Sequence, residues 1–178
     1  MPSVLAGLVV ACGKESAGAA PLGTTGLAAR YSYAGDGQLP GSVVKAFTIA
    51  LGQVEEDGDT PRQWLRLSAE KTNGESFRVW ALGSAYPPRT ETAARITVSR
   101  YLLQVGSGQP LEYRNRFTGV AVLPNLGAWE HLFPRQTTDA VEGMFPAQTR
   151  YLGHRYRRQA AAATRDVFSS PEAKVIEL

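Results

Sequence analysis

The stretch Gln63-Trp64-Leu65-Arg66-Leu67-Ser68-Ala69-Glu70-Lys71-Thr72-Asn73-Gly74-Glu75-Ser76-Phe77-Arg78-Val79-Trp80-Ala81-Leu82 decides the fold class. Two runs of alternating character flank Asn73-Gly74, and Asn-Gly supplies the positive backbone angles of a two-residue hairpin turn. With those two residues as the loop, Thr72 pairs with Glu75, Ala69 with Arg78, Leu67 with Trp80 and Leu65 with Leu82. Residues paired across strands share a face. Leu65, Leu67, Ala69, Trp80 and Leu82 are therefore expected on a core face. Trp64, Arg66, Ser68 and Glu70 are expected on the other, with Phe77 and Val79 giving it partial cover.

Further along the chain, Gly106 to Pro110 separates two more strand-like runs in a second hairpin from Arg95 to Leu123. Ile96 and Val98 are out of phase with Tyr101, Leu103 and Val105, which predicts a β-bulge near Ser99-Arg100. The return run places Leu111, Tyr113, Phe117, Ala121 and Leu123 on one side and Glu112, Arg114 and Arg116 on the other. Upstream, Ala28 to Tyr33 and Val43 to Leu51 alternate as two further strands joined by the Gly/Asp/Pro-rich residues 35 to 41. Sequential hairpins pair antiparallel. The expected fold is mainly β: a single antiparallel β-meander, as an open sheet, half-barrel or barrel, with short helices toward the C-terminus. Those helices are Asn125 to Phe133, capped by Asn125 and stopped by Pro134, and Gln159 to Asp166, favoured by its alanines. Thr149 to Arg158 fits strand or helix, and Lys174 to Leu178 reads as a short strand.

A chain of 178 residues, 43% hydrophobic and 9% aromatic, builds one domain with a real core and is not wholesale disordered. No apolar run reaches the roughly 18 to 20 residues of a membrane-spanning helix, which excludes a polytopic helical membrane protein. The net charge of +3 is the small excess of 19 basic over 16 acidic side chains, of which only Lys14, Lys45, Lys71 and Lys174 are lysine. Arginine dominates, and its densest run is acid-free: Arg150, Arg155, Arg157, Arg158 and Arg165, interleaved with Tyr151, His154 and Tyr156. Arginine forks grip phosphates and carboxylates, so Arg150, Arg155, Arg157 and Arg158 form a candidate anion-binding set for anionic lipid or acidic glycan. The competing reading pairs them with Glu112, Glu130 or Glu142 on a solvated face. No nucleic-acid signature is present, so no specific nucleic-acid partner is expected.

Other chemistry is weakly signalled. Gly74-Glu75-Ser76-Phe77-Arg78 lacks the second glycine of a nucleophile elbow and lies inside a hairpin. His131 and His154 are the two histidines, and neither belongs to a His-Glu-x-x-His motif. Glu55, Glu56, Asp57 and Asp59 lack the spacing of a calcium loop and read as a solvated connection. No glycine-rich phosphate cradle occurs. No catalytic residue, metal or cofactor is assigned. Trp80, Tyr113, Phe117 and Trp129 are candidates to line an apolar pocket or to fill a closed core.

At the amino end Val4 to Ala11 is apolar, and Val9-Val10-Ala11-Cys12 resembles the lipobox of bacterial lipoproteins. The resemblance implies lipidation of Cys12, the single cysteine, and a lipid-anchored place in the bacterial cell envelope. Met1-Pro2-Ser3 offers no basic n-region, so the true start is expected upstream. Residues 13 to 26 have the Gly/Ala/Ser/Thr composition of a flexible tether. The expected organisation is a signal-like segment at 1–12, a tether at 13–26 and a β-rich domain at 27–178. The function that follows is a non-catalytic cell-envelope lipoprotein domain that binds or scaffolds. The alternatives are a small extracytoplasmic hydrolase or sugar-active domain, and an anion-binding module built on the arginine-rich segment.

Overall fold

The computed structural model describes residues 18–36, 39, 43–57, 59–86, 95–114, 144–151 and 153–177. The hairpin at Asn73-Gly74 is present, but with a longer loop than the dipeptide implies. The Lys71 amide donates to the Glu75 carbonyl at 2.8 Å and the Gly74 amide to the Lys71 carbonyl at 3.2 Å, with Gly74 at φ +86°. This is a three-residue loop, Thr72-Asn73-Gly74, in which a turn ends on a left-handed glycine. The register is accordingly Ala69 with Phe77, Leu67 with Val79, Leu65 with Ala81 and Trp64 with Leu82.

A one-residue slip transfers a strand's side chains to the opposite face, and that corrects the expected core. Leu65, Leu67 and Ala69 pack with Phe77, Val79 and Ala81, whereas Trp80 and Leu82 join Trp64 on the other side of the sheet. The longer loop wins because it matches like with like. It pairs apolar with apolar on the main face and sets Ser68 opposite Arg78 and Glu70 opposite Ser76 on the other.

Among the described residues nine strands form one sheet: β1 (Leu27–Tyr33), β2 (Val44–Asp57), β3 (Thr60–Lys71), β4 (Ser76–Tyr86), β5 (Arg95–Val105), β6 (Leu111–Arg114), β7 (Gln148–Tyr151), β8 (His154–Ala163) and β9 (Lys174–Glu177). Their order is β7-β8-β1-β2-β3-β4-β5-β6-β9, and only β6 and β9 run parallel. The meander is thus β1 to β6, flanked by a hairpin on one edge and a single parallel strand on the other. The bulge foreseen near Ser99 is present, since Leu82 pairs with Arg100 and Gly83 with Val98, leaving Ser99 over.

Three expectations are corrected here. Gln159 to Ala163 is strand, not helix, because β8 pairs along β1 from Leu27/Ala163 to Tyr33/Tyr156; a tertiary pairing overrides alanine's helical preference. The Asn125–Phe133 helix falls at residues outside those described. Glu55, Glu56 and Asp57 are not a loop but the end of β2, opposite Arg62, Pro61 and Thr60. Finally, part of the expected tether is built into the domain. Leu22 is a core residue at 4% exposure, and the fully buried Gln63 side chain accepts from the Gly23 amide at 2.9 Å and donates to Thr25 Oγ1 and the Gly52 carbonyl, both at 3.2 Å.

The inner face of the sheet carries the large core, notable for its tyrosines. Tyr31, Tyr101, Tyr151 and Tyr156 are all fully buried. Tyr31 stacks on Phe47 at 5.0 Å, and Phe47 also meets Tyr151 and Tyr156. Tyr31 donates to the Pro146 carbonyl and Tyr156 to the Val44 carbonyl, at 2.9 and 2.8 Å. Burial raises both Tyr151 and Tyr156, the latter to about 12; the Tyr101 hydroxyl adds to the rise at Tyr151. Tyr101 lies on β5 and Tyr151 on β7, six places apart in the sheet order, yet both belong to the same buried core.

Candidate functional site

The outer face has two parts. One is strapped. Between β8 and β9 the chain crosses from one side of the sheet to the other, a span of about 34 Å at ~4.8 Å per strand, which residues 164–173 cover only when extended. The Gln53 amide donates to the Phe168 carbonyl at 2.9 Å, and the Lys174 amide to the Pro110 carbonyl at 3.0 Å. Phe168 lies over Gly52, where a Cβ would come within 2.4 Å of the Phe168 carbonyl oxygen. Arg66 holds the strap twice, through an ion pair to Asp166 at 2.7 Å and by placing its guanidinium 4.3 Å from the Phe168 ring centroid. Beneath lie Trp64, Trp80, Leu82 and Leu102, with Phe168 and Ala173 packed against them.

At the rim of this part Glu112, on the side opposite Tyr113 as the alternation predicts, is nearly buried. Arg100 grips it with two bonds of 3.0 and 2.9 Å, and Arg114 adds a third at 3.0 Å. The Arg100 bond outweighs the cost of burial and holds the Glu112 carboxyl below its usual range. Trp64 Nε1 donates to Glu55 at 2.6 Å. These carboxylates are therefore engaged in holding the face together.

The other part lies over β7, β8, β1 and the turn ends of β2 to β4. Tyr151 and Tyr156 point inward, so the alternating residues Arg150, Arg155 and Arg157 point outward. Arg150 pairs in register with Arg155, and Arg157 sits between Gln148 and Ser32. All three are exposed. Among the described residues none of the three makes an ion pair, and no acid stands opposite them in the register. Arg158 behaves differently: a bulge at Gln159 sets it opposite the buried Tyr31, and its guanidinium donates to the Phe145 carbonyl. Three members of the expected anion-binding set are thus brought together and the fourth is turned toward the core. None pairs with Glu112, which belongs to Arg100.

Next to this cluster, on the same face, is a groove of about 220 Å³ lined by Arg30, Thr48, Ser68, Glu70, Ser76 and Arg78. No feature of the sequence pattern grouped these residues, because they are single polar positions scattered over four strands. Only the register aligns them: Arg30 with Thr48, Thr48 with Ser68, Ser68 with Arg78.

Of the four aromatic residues expected to line an apolar pocket or fill a core, the two described, Trp80 and Tyr113, serve separate core clusters. Trp80 belongs to the strapped outer cluster, while Tyr113 packs on the inner core near Tyr101, with ring centroids 6.5 Å apart. Phe117, Trp129, His131 and Cys12 lie outside the described residues. His154 stands beside Tyr33, ring centroids 5.9 Å apart. Among the described residues no three His, Cys, Asp or Glu side chains converge to hold a metal, and no helix is long and apolar enough to cross a membrane. Comparison of the chain with protein-family models, curated proteins and solved structures returns no match.

Proposed function

We propose that this chain is a non-catalytic cell-envelope domain, tethered by a lipid on Cys12, that binds anionic partners through the outer face of the β7–β8 hairpin. The observation that carries the reading is the set Arg150, Arg155 and Arg157: adjacent, exposed and without ion-pair partners among the described residues. Like charges directly opposite each other across strands are destabilising, so Arg150 facing Arg155 costs stability that an anion bound between them returns. Arginine suits this role because its fork engages two oxygens of a phosphate or carboxylate at once. A tether supports the same reading. The residues between Cys12 and Leu22 extend to at most about 35 Å, enough to let the domain turn its basic face to whatever lies at the membrane surface.

Two experiments test the two halves of this reading. Replacing Arg150, Arg155 and Arg157 with Ser is expected to abolish retention of the folded protein on immobilised heparin at moderate salt; unchanged retention removes the binding face. Incorporation of labelled palmitate, with a basic export n-region placed before Val4, is expected for the parent sequence and absent from Cys12→Ser. No label in either removes the anchor.

A further inference from the structure

Resting on that reading of the outer face, we propose that the groove between Arg30 and Arg78 is a saccharide seat, and that the partner is a linear acidic polysaccharide lying across the strands. The outer face of β7, β8 and β1 to β4 is one track, about 24 Å across at ~4.8 Å per strand. It starts at the paired Arg150 and Arg155, passes Arg157 and ends in the groove.

The groove differs in chemistry from the hairpin. Its floor is the row Thr48 and Ser68, small side chains whose hydroxyls both donate and accept. Its ends are Arg30 and Arg78, about 14 Å apart between Cα atoms as three strand spacings. Arg30 has no ion pair among the described residues, and Arg78 makes only a long 3.5 Å contact to Gln104. Both guanidiniums are thus available to acidic groups on successive units of a chain. Glu70, steadied by Lys45 at 3.5 Å, forms one wall. A carboxylate there accepts bonds from ring hydroxyls and is unfavourable against the headgroups of an anionic bilayer. Hydroxyls below, a carboxylate at the side and cations at both ends match a uronate unit. A flat lipid surface would instead meet a recessed floor it cannot reach. At about 220 Å³ the groove is below the roughly 300–1,000 Å³ typical of small-molecule pockets, which fits a short stretch of a polymer whose remainder runs along the arginines of β8 and β7.

The test uses the full chain and two probes, a fluorescent polygalacturonate oligomer and vesicles containing phosphatidylglycerol. The double variant Arg30→Ser, Arg78→Ser is expected to weaken oligomer binding at least tenfold and to leave vesicle binding within twofold. Ser68→Val, which fills the floor without changing charge, is expected to weaken the oligomer several-fold and not the vesicles. Circular dichroism and thermal melting confirm that each variant is folded. Oligomer binding unchanged in the double variant, while Arg155→Ser, Arg157→Ser reduces it, overturns the groove and leaves the hairpin face standing. Vesicle binding reduced by the double variant as much as oligomer binding overturns the saccharide assignment. Retention of neither probe by the parent chain removes the hairpin reading and the groove together.

Discussion

The strapped and the bare parts of the outer face meet on shared strands, β2 to β4, yet they are solvated in opposite ways. Over Trp64 and Trp80 the sheet is dry and its arginines are paired: Arg66 with Asp166, Arg100 and Arg114 together with Glu112. Over Arg30, Arg155 and Arg157 the same face is wet, and these three arginines have no ion-pair partners among the described residues. Local composition does not explain the contrast, since both parts carry arginines at alternate positions. What separates them is one chain crossing, which supplies Asp166, Phe168 and Ser170 to one part and nothing to the other. Arg66 and Arg100 are structural because the strap reaches them, whereas Arg30, Arg155 and Arg157, beyond its reach, carry no ion pair among the described residues.

The largest break in that contrast comes from removing what the strap covers. Trp64→Ala deletes a fully buried indole and its bond to Glu55, and is expected to cost about 3–5 kcal/mol, read as a lower denaturant midpoint. Gly52→Ala attacks the strap itself. The new methyl meets backbone at the Phe168 carbonyl, so the strap must lift; a loss of about 1–3 kcal/mol is expected, with increased quenching of Trp64 and Trp80 fluorescence by acrylamide. An unchanged quenching constant with unchanged stability would show that the strap does not shield the indoles.

Acid and base separate the strapped outer part from the inner face. Glu112 has a depressed carboxyl, so its contribution is complete above the unfolded value of about 4.3 and is lost as pH falls below it. Tyr156 is raised to about 12, so its contribution is complete below about 10 and is lost as pH climbs toward 12. Glu112→Gln is expected to cost about 2 kcal/mol at neutral pH and to flatten the acid limb of a stability–pH curve. Tyr156→Phe is expected to cost about 1 kcal/mol through the lost bond to the Val44 carbonyl and to flatten the alkaline limb alone. The smallest effect belongs to the bare part: Arg155→Ser with Arg157→Ser is expected to move stability by no more than about 0.5 kcal/mol. A loss above 1 kcal/mol by urea unfolding would mean that these arginines hold the fold rather than await a partner.

The sequence disclosed what is local. Alternation in Gln63 to Leu82 marks two strands, and the phase change at Ser99 marks a bulge, because each is a property of a few consecutive side chains. The register at Asn73-Gly74 was not legible. A two-residue and a three-residue loop are both compatible with Asn-Gly, and the choice falls to packing on faces formed by other strands. β8 was read as part helix for the same reason: its alanines acquire a strand's geometry only against β1, far away in the chain. The arginines of the hairpin showed through as an acid-free run, while Arg158 was misplaced because a bulge at Gln159 leaves no periodic trace in so short a segment. Arg30, Thr48, Ser68 and Arg78 carried no signal at all, being one residue each from four strands.

The pairing of β8 with β1 also orders events in time. While the ribosome delivers the chain, β1 to β4 can zip as successive hairpins, yet the outer edge of β1 has no partner until His154 to Ala163 has been made. A long unpaired edge recruits other strands, and nascent sheets of this kind are prone to wrong association. His154 to Ala163 is thus the guard of β1, and its delay sets the interval in which the nascent domain is most exposed to mispairing.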